Sequence, residues 1–202
     1  MSATDATDAD DVSTPDDPSY ITYADFGQRF FEAAVTRQRI ADAVSGMAGR
    51  PVDFGPIGVG PIGLVKVRAN GKVGTPSVVE RDDPEHVAFD LMIPVDLAML
   101  IEISFDKHRF DAKVFVRLAL NARAADPLQI VIDVEPPTKK NVEVKVTADG
   151  LRASVLQIVA GVDAELKRSV AKFVRREIDK PQLRKQRVID IAAALDGLGA
   201  KR

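Results

Sequence analysis

Between residues 95 and 147 apolar and polar side chains alternate with a period of two through four successive segments. Val95, Leu97, Met99, Ile101, Ile103 and Phe105 fall on one side of the first segment, and Asp96, Ala98, Leu100, Glu102 and Ser104 on the other. Successive side chains of a strand point to opposite faces, so the pattern predicts half-buried antiparallel strands that share one aliphatic face. After a turn predicted at 106–109 the alternation resumes with Phe110, Ala112, Val114, Val116, Leu118 and Leu120. It continues with Leu128, Ile130, Ile132 and Val134, and ends with Val142, Val144 and Val146. Upstream, Asn70-Gly71 reads as a tight hairpin turn between strands at 64–69 and 72–80. Pro76 marks an edge or a bulge in the second of these. Residues 86–93 add a further strand that bends at Pro94. Six or seven strands joined by short connections predict an antiparallel meander.

On either side of this block the period changes to that of a helix. A first helix is predicted over 23–48, with Thr22 as N-cap and Asp25 three residues later. Its apolar stripe is Phe26, Phe30, Ala33, Ala34, Ile40, Val44 and Met47. Gly49 and Pro51 end it, and an irregular loop is predicted to about residue 63. Beyond Asp149-Gly150 the positions Leu151, Val155, Val159, Val162, Leu166, Val170, Phe173 or Val174, and Ile178 make one continuous helical face. Residues 151–156 also alternate well enough to read as an extra strand. Pro181 opens a short last helix carrying Leu183, Val188, Ile191 and Leu195. The fold class is therefore α+β: long helix, meander, long helix, short helix, in a single domain over 20–198.

Composition adds a tail and a compartment. Residues 1–19 contain six aspartates, no Lys or Arg and no apolar run, which predicts a disordered acidic segment and neither a signal peptide nor a spanning helix. Removing those six charges from the formal net charge of −2 leaves +4 on the rest of the chain. The absence of cysteine fits a reducing compartment, so the expected location is cytoplasmic, with peripheral contact at the inner membrane. That contact is expected from nine basic residues between Lys167 and Arg187, of which Lys172, Arg175, Arg176 and Lys180 are the candidate surface for an anionic membrane or a protein partner. Nucleic acid is disfavoured, because no aromatic residues are interleaved with these cations for base stacking.

The candidate chemistry is sparse. Gly58-x-Gly60-x-x-Gly63 matches the dinucleotide fingerprint literally, but a helix precedes it and a strand follows, the reverse of what a phosphate at a helix N-terminus requires. The segment reads instead as a rim loop exposing Ile57, Val59 and Ile62. His86 and His108 stand alone, and Asp133 and Glu135 lie on the polar strand face. No catalytic residue, metal or cofactor is expected, and the chain reads as a non-enzyme. The aliphatic inner face suits a lipid or other apolar small molecule, with Phe30, Val44, Met99, Ile101, Ile103, Val114, Val116, Leu118, Ile130, Ile132, Val159 and Leu166 as candidate lining. Leu100, Phe115 and Val131 are apolar on the outer face and make a sheet-mediated homodimer an expectation.

The order of elements resembles a half-module of the tubular lipid-binding superfamily, which includes bactericidal permeability-increasing and synaptotagmin-like mitochondrial lipid-binding proteins. The resemblance rests on the 26–47 helix, the long alternating strands at 95–105 and 110–120, and the 151–178 helix. It implies a highly curved sheet wrapped around a long helix, and an apolar ligand carried in a cavity between sheet and helices. A second resemblance, to the START-like helix-grip fold, would imply a cyclase-like enzyme, although that fold begins with a strand and not with a long helix. A filled-core protein-interaction scaffold is a further reading of the same pattern.

Overall fold

The longest alternating runs of the sequence become the two longest strands. A computed structural model of the chain describes residues 18–59, 65–103, 106–147 and 153–199. In chain order they form α1 (Tyr23–Ala34), α2 (Arg37–Ser45), β1 (Pro51–Val59), β2 (Val65–Val73), β3 (Ser77–Arg81), β4 (Val87–Ile103) and β5 (Asp106–Ala125). Then come β6 (Gln129–Val134), a 3-10 turn at Lys139–Asn141, β7 (Val142–Thr147), α3 (Ala153–Ile178), α4 (Pro181–Gln186), β8 (Val188–Asp190) and α5 (Ile191–Gly199). The acidic tail lies outside the described residues up to residue 17.

β4 and β5 are the spine of one antiparallel sheet and pair along their whole length, from Val87 against Ala122 to Ile103 against Asp106. Each outer edge of this pair is covered by two shorter strands laid end to end. β2 pairs with β4 over 95–103 and β3 takes over at Met92, while β7 pairs with β5 over 111–116 and β6 covers 120–125. Pro94 sits at the first junction, where the neighbouring strand is interrupted. Its carbonyl accepts from the Gly74 amide at 2.8 Å, and its missing N–H falls at the gap, so β4 runs through without losing a ladder bond. The second junction is longer, and the excursion over 135–141 carries the 3-10 turn.

The alternation fixes which face is inside. Odd positions of β4 and even positions of β5 form the core with Val67, Ala69, Ile130 and Val142, and Val162, Leu166, Val170 and Ala171 of α3 pack onto them. α3 contacts both β1 and β7, which stand four strand positions apart. Four spacings of about 4.8 Å make roughly 19 Å of flat sheet, wider than a helix of about 10 Å. One helix can touch both only if the sheet curls around it. The edge-on stacking of Phe173 on Phe54, with ring centroids 5.2 Å apart, fastens α3 to β1.

Several expected elements differ. The first helix is two, because Val35 turns extended to bury itself in the core and the Thr36 side chain caps a new start by accepting from the Arg39 amide. The predicted cap at Thr22 forms as read. Asn70-Gly71 is no turn: β2 passes straight through it, paired with β1 on one side and β4 on the other. The expected turn at 106–109 is strand, with Asp106 already paired to Ile103. The loop expected over 51–63 is strand as far as Val59, bulged between Phe54 and Ile57, where Gly55 adopts φ +122°. The last helix is interrupted by β8, whose Val188 and Ile189 pair with β6, so the described sheet has eight strands.

Candidate functional site

The inner face is not covered evenly along its length. Over most of its length it is closed: Ile101, Val116 and Ile130 on the sheet and Leu166 on α3 are each 1% exposed and Val114 is 0%. Accessibility that low leaves no water-sized space beside them, so with Met99 and Leu118 they are close-packed core and do not line a cavity. At the far end of the sheet, where β4 begins and β5 ends, α1 takes over from α3 as the cover. A cavity of about 500 Å³ opens there, within the usual range of about 300–1,000 Å³ for ligand pockets.

Its floor continues the inner face, since Val87 pairs with Ala122 and both lie in phase with the core, followed by Ala124. Its roof is one side of α1, with Tyr23, Ala24, Gly27 and Phe31. At Gly27 the helix faces open space, since a Cβ added there would meet nothing within 4 Å. The rim is polar, with Gln28 and Glu32 on the helix, the segment 83–86 opposite, and Arg123 on β5.

Asp83 organises that rim. Its carboxylate accepts from the amides of Glu85 and His86, each at 3.0 Å, and meets His86 Nδ1 at 3.3 Å. The Glu85 amide is the largest cause holding the carboxyl below its ordinary range, with the His86 side chain and amide adding to it against some desolvation. A depressed folded-state pKa contributes stability above the ordinary carboxylate titration and loses it as pH falls through the lowered value. An NMR pH titration should therefore find the Asp83 midpoint below the ordinary carboxylate range, with the Glu85 and His86 amide shifts following the same curve. A midpoint at the ordinary value would mean the rim is not held this way.

The other residues singled out from sequence scatter. Phe30 is half-buried on α1, stacked on Phe26 at 6.2 Å and edge-on to Phe31 at 6.3 Å, and its neighbour Phe31 lines the cavity in its place. Val44 and Ile132 are half-buried at the margin of the core. Ile57 is half-buried in β1 and not on a loop. Ile62, and the side chains of Val59, Ile103 and Val159, lie outside the description. On the outer face Phe115 is capped by Lys145, whose Nζ lies 5.3 Å from the ring centroid, and Leu100 stands between Arg68 and Arg109 in register. Val131 is in register with Arg123, so each of the apolar residues that suggested a dimer has a charged neighbour.

The basic stretch is partly neutralised. Lys167 pairs with Asp163 at 2.8 Å, Arg168 with Glu165, Lys180 with Glu177 at 2.8 Å and Arg184 with Asp179 at 2.9 Å. Lys172, Arg175 and Arg176 are exposed on α3 and carry no ion pair among the described residues. Elsewhere, an unexpected group of large apolar side chains stands exposed at the start of α1, with Tyr20 90%, Tyr23 97% and Phe26 59% accessible. Among the described residues no three His, Asp or Glu side chains gather as a metal would require, and no helix is long and apolar enough to cross a membrane.

No family model and no curated protein matches the chain. Among solved structures it is similar to a lipopolysaccharide binding protein, with 9% identity and a TM-score of 0.29. The match spans 77% of this chain and 38% of that one, so this chain corresponds to well under half of that protein's length. A likeness this loose carries no argument, and the functional reading rests on the geometry.

Proposed function

We propose that the chain binds a lipid or another apolar ligand between its curled sheet and its helices without chemically altering it, and that the ligand enters at the α1 end. The observation that carries this reading is the cavity over Val87, Ala122 and Ala124, where the aliphatic inner face continues beyond the cover of α3. The floor is apolar, while Gln28, Glu32, Asp83, Glu85, His86 and Arg123 make the rest of the lining largely polar, which suits an amphipathic small molecule. Glu32, Asp83 and Glu85 place carboxylates at the rim, so an uncharged or cationic polar end is favoured over an acidic one. The exposed Tyr20, Tyr23 and Phe26 beside the opening supply an apolar approach for a ligand leaving a membrane or a carrier.

The test exploits Gly27. Gly27→Leu puts a branched side chain into the cavity from a helix position with open space above it. Because glycine costs a helix interior about 0.5–1 kcal/mol relative to alanine, thermal stability should hold or rise. Mass spectrometry of material co-purifying with the natively folded protein should show an apolar ligand in the wild type and its loss in Gly27→Leu. Equal retention by both proteins would place any ligand elsewhere. A wild type free of apolar material that also fails to take up a fluorescent fatty-chain probe would favour the scaffold reading, which the filled centre under α3 supports.

A further inference from the structure

The excursion between β6 and β7 brings a second concavity against α3, remote from the α1 cavity. It is a slot of about 240 Å³ with Pro137 and Ala171 at its base and Lys139, Arg168, Lys172 and Arg175 around it. Pro137 is less than 2% exposed and Ala171 6%, so the base is fixed by the core. Arg168, Lys172 and Arg175 follow one another at spacings of four and three along α3 and therefore share a face, onto which the 3-10 turn delivers Lys139. Arg175 is already oriented, because its Nη2 donates to the Pro137 carbonyl at 3.3 Å. Among the described residues the carboxylate paired with this group is Glu165, on Arg168, and no Asp or Glu lines the slot.

Four cations around one concavity repel each other until an anion enters it. Arginine supplies a planar fork and lysine a mobile point charge, the combination that suits phosphate oxygens. Below the charged heads the walls are apolar: the aliphatic stems of these side chains, Pro137 and Ala171. The charged heads stand at the mouth of the slot, where a phosphate displayed on a bilayer surface can meet them without its lipid leaving the membrane. We infer that the slot formed by Lys139, Arg168, Lys172 and Arg175 over Pro137 and Ala171 binds the phosphate of a phosphomonoester lipid and seats the chain on membranes that display it. The inference goes beyond the apolar-ligand reading and uses none of the residues of the α1 cavity.

The experiment is flotation of the full chain with phosphatidylcholine vesicles carrying phosphatidic acid, against vesicles carrying phosphatidylserine at matched surface potential, each with and without inorganic phosphate. We expect preference for phosphatidic acid by about tenfold. That preference should be lost in Lys139→Gln/Lys172→Gln and kept in Arg176→Gln/Lys185→Gln, whose exposed cations lie outside the slot. Equal binding to both anionic vesicles would overturn the site in favour of a diffuse basic surface, as would an equal loss in the two double variants. Saturable binding of inorganic phosphate without binding to phosphatidic acid vesicles would overturn the lipid assignment. Lys139→Gln/Lys172→Gln should still retain whatever ligand Gly27→Leu loses, so either reading can fail while the other stands.

Discussion

Gly71→Ala should destabilise the chain by about 3 kcal/mol, near the upper end of what one added methyl costs in a packed structure. β2 is flanked on both edges at this point, with Gly71 in register with Val52 of β1 and Leu97 of β4. A Cβ built on Gly71 collides with the Asp96 carbonyl oxygen and lies 3.0 Å from Leu97 Cα, both of them backbone atoms in the spine of the sheet. No rotamer change relieves that overlap, so either the β2 to β4 ladder opens or β4 shifts against β5. Gly46→Ala is the control, because a Cβ there meets nothing within 4 Å and the backbone is already right-handed, with φ −65°. That change should be neutral or stabilising by up to about 1 kcal/mol. Urea denaturation of both variants settles the matter: a loss under about 1 kcal/mol for Gly71→Ala would mean the strands do not approach this closely.

The same residue shows what the sequence held and how it is misread. Asn-Gly is a strong local turn signal, yet Val65, Val67, Ala69, Gly71 and Val73 keep one unbroken phase of two across it. A turn at 70–71 would have interrupted that phase, so continuity of the pattern outweighed the dipeptide. Pro94 teaches the same lesson, since the odd phase of β4 passes through it, whereas residues 106–109 are all polar and are strand because β4 offers them a partner. β1 was hidden for the opposite reason: its glycines and prolines carry no alternation, and it exists because β2 offered an edge to pair with. Among the described residues the predicted inner face from Val95 to Ile101 and from Phe110 to Leu120 is the observed core, and Ile103 and Phe105 lie outside the description. The α1 cavity was not legible, because Val87, Ala122 and Ala124 look in sequence like any other inner-face positions. What sets them apart is the helix that faces them, α1, which leaves a cavity over them. The slot was half legible: its α3 cations stood out as a charge run, but nothing in the sequence said that the 135–141 excursion would bring Lys139 to them.

Leu166→Ala should cost about 2–5 kcal/mol, the range found when a buried leucine is truncated and the surroundings relax only in part. Leu166 is 1% exposed at the middle of the Val162, Leu166, Val170 stripe, where α3 is gripped by a sheet that reaches it from both β1 and β7. Because that grip comes from two sides, neither wall can collapse into the gap without leaving the other. The loss should therefore fall in the upper part of the range, and the melting temperature should drop by roughly 10 °C. Arg176→Ala, an exposed change farther along the same helix, should stay within about 0.5 kcal/mol. A loss below about 1 kcal/mol for Leu166→Ala would show that α3 is not clamped, and the interior would then be open to a ligand along the whole helix. A clamped α3 confines an apolar ligand to the α1 end. In that case Leu166→Ala weakens the fold while ligand retention survives, and Gly27→Leu removes retention while the fold survives.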